Sequence, residues 1–210
     1  MSLYADFLTH QGRQVDKWTH YFPIYERHFQ RFKNQSVTLV EIGAAGGGSL
    51  QLWKRFLGPF AQIVGLDIHG CKKAEESQVA VRIGDQSDLA FLQSVVAEFG
   101  QPDIVIDDGS HMMEHIDASF DFLYPRLSKN GVYVVEDLHA AYWPDFHGGL
   151  REPRSFIERC KGLVDELHAD YCGAQATAFS RETLSVHFYD SVVVFERGRH
   201  IKKQAVKSPP

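Results

Sequence analysis

The chain has 210 residues, 44% of them hydrophobic and 23% charged, with a formal net charge of -5. That length suits one compact domain with a full core, and the composition excludes fibrous or disordered classes. The acidic balance offers no general attraction for a phosphate backbone, which argues against a nucleic-acid substrate. Cys71, Cys160 and Cys172 fit no zinc-ribbon or redox spacing and read as free thiols suited to a reducing compartment. No apolar run reaches the roughly 20 residues of a membrane span, and the start MSLYADFLTHQGRQ lacks a signal-peptide core, so the expected location is the cytoplasm.

Residues 1–36 read as one or two helices rich in aromatics and histidine, packed on a domain that spans 37–200 and is followed by a flexible tail, 201–210. Apolar runs at Val37–Ile42, Gln62–Asp67, Val79–Ile83, Ile104–Asp107 and Val132–Glu136 read as strands, and their lack of alternation suits a parallel sheet covered on both faces. Helical periods fall between them at Leu50–Leu57, Asp88–Phe99 and Glu114–Leu123. The stretch PDFHGGLREP after Trp143 reads as a mobile loop over a site, followed by a helix from Arg154 to Leu167. Leu184–Phe188 and Ser191–Phe195, joined at Tyr189-Asp190, predict an antiparallel hairpin. The fold class expected is α/β, Rossmann-like, with a mostly parallel sheet and a C-terminal antiparallel hairpin.

The chemistry gathers at the strand ends. VTLVEIGAAGGGS, from Val37 to Ser49, is a strand running into a glycine turn and then a helix, a place where backbone can approach a nucleotide closely. Gly43, Gly46 and Gly48 do not fit GxGxxG, and Glu41 would repel a pyrophosphate but suits the amino group of a methionine moiety, favouring S-adenosylmethionine over NAD. Asp67 ends the second strand where nucleotide-binding folds place a ribose acceptor. Asp85, in GDQSD, reads either as a partner of the adenine amine or as a helix N-cap.

Asp107 and Asp108 end the fourth strand, and Glu136 and Asp137 the fifth. Four carboxylates so close would repel one another if desolvated, so a bound divalent cation is inferred, Mg²⁺ by oxygen chemistry with Mn²⁺ or Ca²⁺ able to substitute. His111 follows in the same turn and is the candidate general base, since imidazole titrates near neutral pH. His111-Met112-Met113-Glu114-His115 also spells H-x-x-E-H, a zinc-peptidase pattern that would need both histidines on one helix face. Tyr142 and Trp143, directly after the carboxylates, read as packing or as a stack for a sugar ring.

These motifs, with DKWTHYFPIYERHF near the start, IVGLDI, IDDGSHMMEH, GVYVVEDLHAAYWP and SVHFYDSVVVFERG, resemble the metal-dependent sugar O-methyltransferases typified by the macrocin and mycinamicin enzymes. The resemblance spans most of the chain. It implies that Glu41, Gly43, Asp67, Asp85 and Gln86 hold S-adenosylmethionine, with Gly46, Ser49 and Asp107 completing the expected cofactor set. It further implies Asp108, Glu136 and Asp137 as Mg²⁺ ligands and His111 as base. Ala140-Ala141 stands where that family usually carries Thr-Ser, and the macrolide enzymes have an additional N-terminal domain for which 210 residues leave no room. The expected partner is a small-molecule or glycoside acceptor, with a homo-oligomer left open. A catechol-type methyltransferase, a noncatalytic S-adenosylmethionine-binding protein and, more distantly, an NAD-dependent dehydrogenase are the competing readings.

Overall fold

The structure, a computed structural model, describes residues 2–69, 72–173, 175–199 and 204–208. Five parallel strands, β1 (Thr38–Ile42), β2 (Gln62–Asp67), β3 (Val79–Ile83), β4 (Ile104–Asp107) and β5 (Val132–Val135), are extended by β6 (Thr183–Tyr189) and β7 (Val192–Arg197). The sheet order is β3-β2-β1-β4-β5-β7-β6, with β7 antiparallel to both β5 and β6. The order reverses between β1 and β4, the switch point where open α/β sheets bind ligands beyond the strand ends.

Alternation along the strands divides the core into two layers. Leu39, Ile104, Ile106, Val132 and Val134 pack with α1 (Leu3–Leu8), α2 (Phe22–Phe29) and α3 (Gly48–Leu57). Val40, Val105, Tyr133 and Val135 pack on the other face with α4 (Leu89–Phe99), α5 (Met113–Leu123) and α6 (Phe156–Leu167). The N-terminal helices are thus part of one core layer, through Leu3, Tyr21, Phe22, Tyr25 and Phe29, all at most 1% exposed.

The expected helices form, with ends set by capping chemistry. Asp88 caps α4 by accepting from the amides of Ala90 and Phe91, so Asp85 is not the helix cap. Ser155 caps α6, which begins at Phe156 rather than Arg154 because the serine hydroxyl accepts from the Glu158 amide. The hairpin turn falls on Asp190-Ser191, one residue later than expected, with Ser191 at φ 63°. The segment read as a mobile loop carries backbone hydrogen bonds back to the residues before it. Gly148 N donates to Trp143 O at 3.0 Å and Gly149 N to Ala141 O at 2.9 Å. Cys160 is buried and Cys172 exposed, while Cys71 lies outside the described residues. Of the expected tail, residues 204–208 carry no helix or strand and the others lie outside the described residues. No described helix is long and apolar enough to cross a membrane.

Candidate active site

The turn after β1 is built around Gly43. Its φ of +87° is left-handed, and a Cβ there would lie 1.9 Å from the carbonyl oxygen of Asp108. Only glycine lets the β1 and β4 loops close on each other at this distance. Gly46, by contrast, faces open space. A cleft of about 430 Å³ runs along these strand ends, within the usual size of a small-molecule site. Gly43, Ala45, Asp67, Asp85, Gln86 and His115 are among its lining residues. A second opening of about 240 Å³ lies on the other side of the glycine turn, bordered by Lys17, Gly46, Ser49 and Asp108.

Asp67 accepts from the amides of Ala45 and His69, both at 2.8 Å, which holds its carboxylate at the cleft wall. Asp85 accepts from the amide and hydroxyl of Ser87, and these bonds lower its pKa. Gln86 accepts from Ser110 N at 2.8 Å and donates to Asp107 at 3.0 Å.

Two of the residues expected to touch cofactor are fully enclosed, and the pleat explains both. Glu41 is 0% exposed and follows the alternation to the α2/α3 face. There it accepts from Ser49 Oγ at 2.6 Å and has Lys17 at 3.5 Å, and burial raises its pKa. Asp107 is 1% exposed on the opposite face, bound by Ser119, Gln86 and Tyr133, with its pKa also raised by burial. Neither is among the residues lining the two openings. Asp107 reaches the cleft through Gln86, and Glu41 reaches the second opening through Ser49.

Beyond β4 and β5, Asp108, His111 and Asp137 each offer one donor atom, all within 4.8 Å of one another. His111 Nε2 is 3.9 Å from Asp108 Oδ1 and 3.8 Å from Asp137 Oδ2. His111 and Asp137 both hold left-handed backbone, φ 58° and 50°, a conformation unfavourable for side-chain-bearing residues that concentrates at functional sites. Two convergent carboxylates of hard oxygen character suit Mg²⁺ or Mn²⁺. Glu136 lies one layer deeper, 1% exposed, with Tyr25 OH on Oε1 and Lys17 Nζ on Oε2, both at 2.7 Å. Burial raises the Glu136 pKa, and Lys17 pulls it back.

The H-x-x-E-H pattern does not form a helix face. His111 precedes the α5 N-cap at Met112, and His115 turns to Ser110 Oγ at 3.0 Å.

Lys17 was not singled out by sequence. Its side chain is 4% exposed, with Nζ 2.5 Å from Asp108 Oδ2. Burial works against its charge, but Glu136, Asp108 and Glu41 outweigh that and hold its pKa well above the usual lysine range. The available signal was the surplus of carboxylate at the strand ends, which in sequence points to a divalent cation alone. Tyr21 and Tyr25 complete the N-terminal contribution, Tyr21 OH donating to Asp137 Oδ1 at 2.6 Å.

An aromatic rim adjoins His111. Phe146 lies 6.2 Å from His111 and 6.1 Å from Trp143, ring centre to ring centre, and His139 stands between Trp143 and Trp18. Tyr142, Trp143 and Trp18 are 43%, 51% and 57% exposed.

No family model matches the chain. It is 41% identical over 196 residues to the 8-demethyl-8-alpha-L-rhamnosyl tetracenomycin-C 2'-O-methyltransferase of Streptomyces olivaceus, covering 87% of this chain and 52% of that protein. It is 38% identical over 199 residues to the demethylmacrocin O-methyltransferase of Streptomyces fradiae, covering 87% and 50%. Among solved structures, the MycE methyltransferase of the mycinamycin biosynthetic pathway, in complex with Mg, SAH and mycinamycin VI, superposes with a TM-score of 0.84 at 34% identity, over 94% of this chain and 53% of that one. The chain spans about half the length of the curated relatives it matches. Along most of its length the chain is similar in sequence and fold to about half of each of these sugar O-methyltransferases, and its fold is the class I methyltransferase architecture.

Proposed function

We propose that the chain is an S-adenosylmethionine-dependent, Mg²⁺-dependent O-methyltransferase acting on a sugar hydroxyl of a glycosylated natural product or polysaccharide precursor. The observation that carries this reading is the convergence of Asp108, Asp137 and His111 within 4.8 Å beside the glycine-turn cleft. Gly43, Asp67, Asp85 and Gln86 would hold the cofactor at that cleft, with Gly46 and Ser49 at the adjoining opening and Glu41 and Asp107 supporting it from beneath. Asp108, Glu136 and Asp137 would hold the metal, with Glu136 one layer deeper than the other two. When bound, the cofactor supplies an electrophilic methyl group and the metal a Lewis acid beside the acceptor hydroxyl.

The chain's own residues do the rest. His111 Nε2 faces the carboxylate pair and takes the acceptor proton. Its side chain is 22% exposed, so the proton can pass on to solvent. The walls of the cleft would position the acceptor oxygen beside the methyl group, replacing a bimolecular encounter by a positioned one. The acidic net charge supports a small-molecule or glycoside acceptor over nucleic acid, and we place the reaction in the cytoplasm.

The test is methyl transfer from S-adenosylmethionine to 4-nitrophenyl α-L-rhamnoside, with caffeate as the catechol competitor. Transfer to the glycoside should stop on chelation with EDTA and return with Mg²⁺ or Mn²⁺. Transfer that survives exhaustive chelation, or that takes the catechol and never the glycoside, overturns the proposal.

A further inference from the structure

The carboxylates at the ends of β1, β4 and β5 are met by one ammonium from outside the sheet. Lys17 Nζ stands 2.5 Å from Asp108 Oδ2, 2.7 Å from Glu136 Oε2 and 3.5 Å from Glu41 Oε1. A buried ammonium is costly unless carboxylates pair with it, and here three do. The place it occupies, bridging Asp108 and Glu136, is one that a divalent cation held by these two residues would also need. Mg²⁺ sits about 2.0–2.1 Å from its oxygens, closer than Nζ now stands, and two cations at that spacing repel each other strongly.

No helix or strand holds the Lys17 backbone. Residues 14–18 belong to no helix or strand and lie ahead of the short turn that begins at Thr19. The side chain borders the opening shared with Gly46 and Ser49, so an ammonium leaving Asp108 has an adjacent space to enter.

We propose that Lys17 is the stand-in cation of the metal-free site: its ammonium and the divalent ion compete for Asp108 and Glu136, and metal loading displaces Lys17. The inference rests on the Mg²⁺ reading above. It makes Lys17 a positioning residue that holds the carboxylates aimed before the metal arrives, and it sets a threshold for metal binding.

The experiment is calorimetric titration of Mg²⁺ into the cofactor-free protein, comparing wild type with Lys17→Met and Lys17→Arg. Removing a unit positive charge from beside the ligands should tighten Mg²⁺ binding roughly tenfold or more in Lys17→Met, while Lys17→Arg, which keeps the charge, shows no such gain. General damage to the fold would weaken binding, so a gain separates competition from a structural role. Equal or weaker Mg²⁺ binding in a folded Lys17→Met overturns the proposal. Absence of Mg²⁺ binding in wild type and Lys17→Met alike overturns the metal reading, and this inference with it. Should Lys17→Met fail to fold, hydrogen exchange on wild type decides: amides 14–18 should exchange faster when Mg²⁺ saturates the protein, and unchanged exchange overturns the displacement.

Discussion

Gly43 and Asp108 lie in such close contact that a single added carbon on Gly43 would sit 1.9 Å from the Asp108 carbonyl oxygen. The glycine turn after β1 and the loop after β4 are therefore one packed unit. Gly43→Ala should destabilise the fold by more than the roughly 1–2 kcal/mol of its left-handed backbone alone, because the Asp108 loop must also move. It should also abolish measurable S-adenosylhomocysteine binding. Gly46→Ala, with open space around it, should leave stability unchanged and affect only the ligand. Chemical denaturation and calorimetry on the two variants check both halves.

His111 and His115 are separated by their surroundings, the first facing Asp108 and Asp137, the second bonded to Ser110 in the cofactor cleft. His111→Ala should lower kcat by about 10²–10⁴-fold, the usual range for loss of a general base, with S-adenosylhomocysteine affinity intact. His115→Ala should instead weaken cofactor binding and spare kcat at saturation. Steady-state kinetics alongside calorimetry would expose a reversed pattern, which would move the base away from His111.

The α2 helix is clamped to β7 by Glu196, which accepts from His28 at 2.9 Å and Arg31 at 2.8 Å. The His28 bond, aided by Arg31 against the opposing effect of burial, pulls the Glu196 pKa down to about 2. A depressed carboxylate stabilises the fold above its unfolded pKa, here near 4.5, and that share is lost as pH falls towards about 2. For this group, whose side chain is 20% exposed, the share is about 1 kcal/mol after solvent screening. Glu196→Gln should lower stability near neutrality and flatten the acid limb of the stability curve. Urea midpoints measured across that pH range test the sign.

Trp143 sits in the aromatic rim that leads from His111, half exposed where a packed core residue would be enclosed. Exposed aromatic surface beside a site is suited to stacking on an acceptor ring. Trp143→Ala should raise the acceptor KM several-fold while leaving S-adenosylhomocysteine and Mg²⁺ affinity unchanged. An unaltered KM would return Trp143 to a purely packing role.

The local pattern of the chain determined the parallel strands, the glycine turn and the acids at the strand ends, because apolar runs, turn residues and alternation act over a few residues. Alternation carried further than it was taken: counting from Val40 and Tyr133 puts Glu41 and Glu136 on one face, and counting from Val105 puts Asp107 on the other. Tertiary structure alone decided which carboxylates meet. Lys17 lies 91 residues from Asp108 and 119 from Glu136, and Tyr21 lies 116 from Asp137. No local preference encodes such contacts, which arise only when the N-terminal segment packs against the sheet and a buried charge must find its counter-charge.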